Sequence, residues 1–199
     1  MKSSLLILIF FVAGLLVGHF EPVDLSNMPL SMIVLCLLMF FVGISIGKQP
    51  DKIRQMLEKN IRFFFLPLMT ISGTLFGAFL SSFLLQKWNL GECLATGSGL
   101  GYYSLSSVII SEIKGPELGA IALLSNVFRE IIALLGAPLF KNVFGPLAPI
   151  ACGGATTADT TLPVIMNVCG TDYTAVSVYH GILCDFCVPF LVTTMLLIN

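Results

Sequence analysis

The chain has 199 residues, of which 56% are hydrophobic and only 11% are charged, and its mean hydropathy is +0.97. Soluble domains carry about 25% charged residues. This composition therefore excludes an ordinary soluble domain and predicts an integral membrane protein whose main surroundings are the lipid bilayer.

Five apolar stretches are predicted to be spanning helices, because most approach the ~20 residues that cross a hydrocarbon core. Two further stretches are apolar on average but rich in Gly, Ser and Thr, which predicts segments that are broken inside the membrane or re-enter from one side. We therefore expect an all-α polytopic membrane protein with one transporter domain over residues 1–199, of the kind found among inverted-repeat transporters. The helices are expected at residues 4–19, 30–47, 63–85, 117–140 and 172–198, and the broken segments at 93–112 and 145–168.

The first helix has the charged start and the apolar run of a signal peptide. No convincing small-x-small cleavage site follows it, and a second hydrophobic segment comes soon after. We interpret it as a retained helix.

Half of the ten basic residues fall in one loop, "KQPDKIRQMLEKNIR", residues 48–62. The loop before it contains acids but no Lys or Arg, so the positive-inside rule places residues 48–62 in the cytoplasm. We interpret this basic loop as a determinant of topology and expect no nucleic-acid partner.

Four ionisable residues lie within apolar stretches: Arg129, Glu130, Asp159 and Asp185. A charge at a helix centre costs ~2.5–3.5 kcal/mol on insertion scales, so such residues usually face a bundle interior or an aqueous cavity and are functional by default. A structural ion pair between Arg129 and one of the aspartates is the alternative interpretation.

The sequence "LLSNVFREIIALLGAP" places Ser125, Asn126, Arg129 and Glu130 on one face of a helix whose other faces are apolar. This polar face is predicted to point inward. Since Arg129 and Glu130 are adjacent, they lie about 100° apart around the helix and suit partners on other segments better than each other.

The two aspartates share a local pattern, because a proline follows each of them by four residues: Pro163 after Asp159, and Pro189 after Asp185. Proline lacks the N–H that would bond the carbonyl four residues back. Each aspartate would then lie beside a free carbonyl, a combination that suits an ammonium group or a proton-carrying water. The alternative is that the prolines only kink the helices.

The two broken segments both have a glycine cluster followed by hydroxyl-bearing residues. Glycine-interrupted segments are typical of transporter binding sites, where half-helix N-termini face anions and freed carbonyls face cations. The alternative is that a threonine or Asp159 merely caps a resumed helix. The candidate supporting residues are Asn126, Thr156, Thr160, Tyr102, Ser104, Gly97, Gly99, Gly153 and Gly154.

The six cysteines include a C-x-x-C pair, Cys184 and Cys187, within an apolar helix. No second pair and no histidines at zinc spacing accompany it. We interpret these cysteines as small packing residues and expect neither a metal site nor a cofactor.

Three motifs, "GSGLGYYSLSS", "LLSNVFREI" and "GGATTADTTLP", followed by Asp185 in the next helix, resemble the prokaryotic lysine exporter family of the LysO type. The resemblance covers residues from about 30 to the end. It implies a multi-pass inner-membrane carrier that exports L-lysine and toxic lysine analogues, with two intramembrane acids important for transport. By motif these are Asp159 and Asp185.

Family members usually carry further transmembrane segments ahead of the matched part. One expectation is therefore a separate small membrane subunit that supplies those helices, and the alternatives are a truncated or divergent form or a homo-oligomer.

The expected activity is secondary active export of L-lysine or related cationic amino acids in exchange for protons. A carboxylate on each of two segments can bind either an ammonium group or a proton, while Arg129 or a half-helix N-terminus suits the α-carboxylate. We do not expect an enzyme. The competing hypotheses are an intramembrane hydrolase with Ser104 and His180, and a small ion channel, because "GLGYYS" resembles a carbonyl filter.

Overall fold

The computed structural model describes residues 62–85 and 87–198. The helices expected at 4–19 and 30–47, and the basic loop up to residue 61, lie outside these ranges. Helices are the only regular secondary structure in the described part of the chain, which confirms the predicted fold class.

Seven α-helices and two short 3-10 helices make up the described residues. The 3-10 helices are Gly154–Ala158, called the 3-10 turn below, and Thr171–Tyr173. The α-helices are α1 (Arg62–Ser82), α2 (Leu90–Gly97), α3 (Tyr103–Lys114), α4 (Pro116–Phe144), α5 (Leu147–Gly153), α6 (Leu162–Cys169) and α7 (Thr174–Leu196).

Three helices in this part are long and apolar enough to cross a membrane: Phe63–Ser82, Pro116–Phe144 and Thr171–Leu196. They correspond to α1, α4 and α7, where the sequence predicted helices at 63–85, 117–140 and 172–198. Large apolar side chains such as Leu135 and Phe144 are exposed on them, as expected for surfaces that face lipid tails.

Both glycine-rich segments are broken. The first consists of α2 and α3 with non-helical backbone between Gly97 and Tyr103. The second consists of α5, the 3-10 turn and α6. We call residues 90–114 hairpin 1 and residues 147–169 hairpin 2.

Hairpin 1 enters and leaves at one end of the helical bundle. Lys114 at the end of α3 lies 3.7 Å from the Glu92 carboxylate at the start of α2. Next to it, Lys87 pairs with Glu117 at the start of α4. The start of α2, the end of α3 and the start of α4 therefore share one end, which we call the Lys87 end.

Hairpin 2 enters and leaves at the opposite end. The Lys141 ammonium near the end of α4 donates a hydrogen bond to the Val168 carbonyl near the end of α6. The rings of Phe63 and Tyr173, at the starts of α1 and α7, lie 6.3 Å apart at this end. We call it the Lys141 end.

The last helix, α7, runs from the Lys141 end to the Lys87 end, because a Cβ added at Gly91 in α2 would lie 2.6 Å from the Met195 carbonyl. Three full-length helices thus frame two re-entrant hairpins that enter from opposite ends.

Candidate functional site

The breaks of the two hairpins are in direct backbone contact. The N–H of Ala155 donates a hydrogen bond of 2.9 Å to the Leu100 carbonyl. Gly154 has φ +64°, and a Cβ there would overlap the Leu100 carbonyl oxygen. Only glycine combines this left-handed backbone with such a close approach, so Gly154 allows the hairpin tips to touch.

The other predicted glycines lie around this contact. A Cβ at Gly99 would lie 2.5 Å from the Asn126 amide nitrogen, and one at Gly97 would lie 2.8 Å from the Ala78 methyl group. A Cβ at Gly153 would meet Thr157 within its own hairpin. The missing side chains therefore let α1, α4 and the hairpins pack closely at mid-depth.

Helix α4 holds the break of hairpin 1 through Asn126, which is buried. Its Oδ1 accepts the N–H of Gly101 at 2.8 Å. Its Nδ2 donates to the Thr96 carbonyl at 3.1 Å and to the Ala122 carbonyl at 2.8 Å. The Asn126 amide thus satisfies backbone groups on both sides of the break, which a helix would otherwise have paired.

One turn along α4, Arg129 holds hairpin 2. Its Nε donates to the Cys152 carbonyl at 2.9 Å, and its Nη2 donates to the Ala151 carbonyl at 3.2 Å. Its Nη1 donates to Thr74 Oγ1 on α1 at 3.0 Å. A cation favours the negative C-terminal end of a helix, so Arg129 caps α5.

A cavity of about 290 Å³ lies beside the contact between the hairpins, and we call it the acid cavity. Three of the four predicted ionisable residues line it, together with four of the predicted supporting residues. The lining residues are Gly101, Tyr102, Tyr103, Ser104, Glu130, Ala155, Thr156, Asp159, Thr160 and Asp185.

The acidic side chains come from three different segments. Glu130 lies at the centre of α4 and Asp185 at the centre of α7, so both are at mid-depth. Asp159 follows the 3-10 turn, and its Oδ1 accepts the N–H of Thr160 at 2.5 Å. None of the residues that line the acid cavity is basic. The acidic part of the cavity therefore attracts cations.

The predicted residue Arg129 is not in this cavity. It lies on the other side of α4 because it is adjacent to Glu130 and points about 100° away from it. Within residues 62–85 and 87–198, Arg129 forms no ion pair with Asp159 or Asp185, so the alternative of a structural ion pair is not found.

The N-terminus of a half-helix that no side chain caps faces the acid cavity instead. Helix α3 begins at Tyr103, and no side chain caps its first turn. Tyr102, Tyr103 and Ser104 all line the cavity at this point. The partial positive charge of a helix N-terminus and the Ser104 hydroxyl thus lie within the same cavity as the three acids.

Two alternatives from the sequence receive no geometric support. No side chain caps the first turn of α6, so neither Asp159 nor a threonine has the expected capping role there. Likewise, His180 lies away from Ser104: its Nε2 is 2.9 Å from Thr70 Oγ1 and its Nδ1 is 3.1 Å from Thr157 Oγ1.

The environment of His180 shows what the sequence reasoning missed. Thr157 Oγ1 donates to the Ser177 carbonyl at 3.0 Å, and Ser177 Oγ donates to the Thr157 carbonyl at 2.8 Å. A Cβ at Gly181 would lie 2.8 Å from the Ala155 carbonyl. These contacts attach the 3-10 turn to α7, which also carries Asp185. Nothing in the sequence distinguishes Ser177 and Gly181 from the other small residues of an apolar helix. Only the threonine-rich stretch around Thr157 indicated a polar site.

Comparison with known proteins agrees with these features. The sequence model described as lysine exporter LysO matches residues 8–196. A Haemophilus influenzae protein with the words lysine exporter in its name is 34% identical over 161 residues, which are 81% of this chain and 81% of that protein.

The protein named lysine exporter LysO in Escherichia coli K12 is 32% identical over 158 residues, which are 79% of this chain and 52% of that protein. The chain thus spans about half the length of the Escherichia coli relative. No solved structure matches the chain. Its apolar helices and its bacterial relatives show a multi-pass inner-membrane protein.

Proposed function

Since the chain belongs to the lysine exporter LysO family, we propose that it exports L-lysine and related cationic amino acids or analogues in exchange for protons. The family is one of amino-acid exporters, and its members described above are named for lysine export. The acid cavity is the proposed substrate site.

The observation that carries this proposal is the set of three carboxylates around one cavity, Asp159, Asp185 and Glu130, with no basic residue among the lining residues. Asp185 and Glu130 lie at the centres of spanning helices. Charged groups inside a membrane are costly and usually mark a transport pathway. An ammonium group is the natural ligand, because it donates three hydrogen bonds and carries the compensating charge.

The α-carboxylate of an amino acid needs a different partner. Arg129 does not line the acid cavity. The uncapped N-terminus of α3, with the Ser104 hydroxyl beside it, supplies N–H groups that suit a carboxylate. The substrate would therefore lie between this helix end and the acidic side chains.

Exchange with protons follows from the chemistry of the acids. A carboxylate that holds a proton no longer attracts an ammonium group, and one that holds an ammonium group has little affinity for a proton. Asp159 and Asp185 line the same cavity, and the segments that carry them are attached through Thr157 and Ser177. Because both carboxylates would attract the same ammonium group, protonation of either aspartate would weaken lysine binding and promote the release of lysine.

The orientation rests on the basic loop. Residues 48–62 carry five basic residues and lead directly into α1, so the positive-inside rule assigns the Lys141 end to the cytoplasm. Hairpin 2 would then enter from the cytoplasm and hairpin 1 from outside. Export would carry the substrate towards the Lys87 end.

The test uses bacteria that lack lysine export and are loaded with lysine through a lysine-containing dipeptide. Expression of the chain, alone or together with its genomic neighbour, is expected to restore lysine efflux and growth. In inside-out vesicles, an acidic lumen is expected to drive lysine uptake that a protonophore abolishes. Lysine uptake that is insensitive to the protonophore would contradict proton exchange, and absent efflux in both expression formats would contradict lysine export.

A further inference from the structure

A second cavity of about 380 Å³ lies between α1, α2 and α4. It extends from Trp88 and Glu92 at the Lys87 end to Asn126 and Arg129 at mid-depth. Small-molecule sites usually measure about 300–1,000 Å³. The second cavity is thus large enough for a ligand of amino-acid size.

The break of hairpin 1 and its partner on α4 lie between the second cavity and the acid cavity. Asn126 lines the second cavity and Gly101 lines the acid cavity, and the two residues share the hydrogen bond of 2.8 Å. On α4, Arg129 lines the second cavity while its neighbour Glu130 lines the acid cavity. The two cavities therefore lie on opposite sides of the contact between Asn126 and Gly101.

Arg129, which lines the second cavity, retains hydrogen-bonding capacity. A guanidinium group has five N–H donors, and three of them bind Cys152, Ala151 and Thr74. Both Nη atoms keep a second hydrogen. Among the described residues Arg129 has no carboxylate partner, and paired guanidinium N–H groups suit a carboxylate particularly well.

The other charged residue that lines the second cavity, Glu92, lies at the Lys87 end. Its carboxylate is already engaged, because it accepts the Asn89 N–H at 2.9 Å and pairs with Lys114 at 3.7 Å. An anion at mid-depth would therefore meet Arg129, Asn126 and Ser125 before it met a competing negative charge.

We propose that the second cavity is a further substrate site, in which Arg129 binds the α-carboxylate of the amino acid between the acid cavity and the Lys87 end. This inference rests on the proposed function. Transfer between the two cavities requires the break of hairpin 1 to move away from Asn126. The acid cavity would select the cationic side chain, and the second cavity would select for an amino acid over a simple amine.

The test is a cysteine reporter in the second cavity. Ser125→Cys places a thiol among its lining residues, and Ser82→Cys is the matched control, half-exposed at the end of α1 and not part of the lining. Labelling by a membrane-impermeant maleimide is measured against the parent chain with its six cysteines. Ser125 also lines a neighbouring cavity beside Met69 and Ile132, whereas Ser81 does not. Ser81→Cys is therefore the second reporter, and it replaces Ser125→Cys if that variant does not fold.

Lysine at about ten times its Kd is expected to slow labelling of Ser125→Cys about tenfold, because about one cavity in eleven stays empty. Cadaverine, which is lysine without its carboxylate, is expected to leave the rate unchanged, and neither compound should affect Ser82→Cys. Equal protection by cadaverine, or no protection by lysine, would overturn the proposal. Lysine efflux by the parent chain in the same cells separates this outcome from a failure of the proposed function.

Discussion

The Ala155 N–H and the Leu100 carbonyl, 2.9 Å apart, join two hairpins that enter the helical bundle from opposite ends. One face of α4 binds the C-terminal end of the first helix in each hairpin: Asn126 binds the end of α2, and Arg129 binds the end of α5. A single helix thus fixes both breaks, and the acidic side chains collect beside the point where the breaks meet.

Replacement of Gly154 by alanine is expected to separate the hairpin tips. The φ of +64° and the overlap of a Cβ with the Leu100 carbonyl leave no room for a side chain, and backbone strain of this kind costs about 1–3 kcal/mol. The thermal unfolding midpoint in detergent and lysine efflux should both fall. Gly73→Ala is the control, since a Cβ there meets nothing within 4 Å. Equal effects of the two substitutions would contradict the close contact.

Asn126→Ala is expected to loosen the break of hairpin 1. It removes the partners of Gly101, Thr96 and Ala122, and an unsatisfied buried polar group costs about 1–3 kcal/mol. The expected result is a lower unfolding midpoint together with reduced efflux. Asn142→Ala, an exposed position on the same helix, should change neither quantity. An unaltered midpoint for Asn126→Ala would mean that this amide does not hold the break.

The re-entrant path of the hairpins predicts a specific labelling pattern. Cysteines introduced at Lys87 and Lys114 should react with an impermeant reagent from one side of the membrane, since the ion pairs place both residues at one end. Cysteines at Asn142 and Asp172 should react from the other side, because α4 ends and α7 begins there. Labelling of positions 87 and 114 from opposite sides would show instead that hairpin 1 crosses the membrane.

The hydrolase hypothesis requires His180 to lie beside Ser104, and the structure does not place it there. Both ring nitrogens of His180 lie next to threonine hydroxyls, Thr70 and Thr157, so His180 is not placed to act as the general base for Ser104. A fluorophosphonate probe is therefore expected to leave the protein unlabelled. Labelling that disappears in Ser104→Ala would restore the hydrolase hypothesis.

The sequence predicted parts of the site where a charged residue or a glycine cluster interrupts an apolar stretch. Carboxylates in apolar stretches identified Asp159, Asp185 and Glu130, and the structure places all three around the acid cavity. Glycine clusters indicated where both hairpins break. These signals are local, because a charge or a glycine within an apolar stretch is costly whatever the neighbouring segments do.

Contacts between residues that are far apart in the chain could not be predicted from the sequence. Hydropathy could not distinguish a crossing segment from a re-entrant one, because the distinction depends on pairs such as Glu92 and Lys114 that are 22 positions apart. The helical periodicity predicted that Arg129 and Glu130 point about 100° apart. It could not predict that the break of hairpin 1 would lie between them and place the two side chains in different cavities. The role of Ser177 in holding the 3-10 turn likewise depends on a partner, Thr157, 20 positions away.

The most direct test of the central claim is lysine efflux by Asp159→Asn and by Asp185→Asn, each compared with Asp172→Asn. Each substitution removes one carboxylate, and Asp159 and Asp172 are both exposed, but Asp172 lies before α7 and does not line the acid cavity. A hydrogen bond to a charged group contributes about 1.5–3 kcal/mol, so efflux at low lysine should fall about tenfold or more in the first two variants. Asp172→Asn should transport like the parent chain. Unchanged lysine efflux in Asp159→Asn and Asp185→Asn, at equal protein levels, would contradict the assignment of the acid cavity as the substrate site.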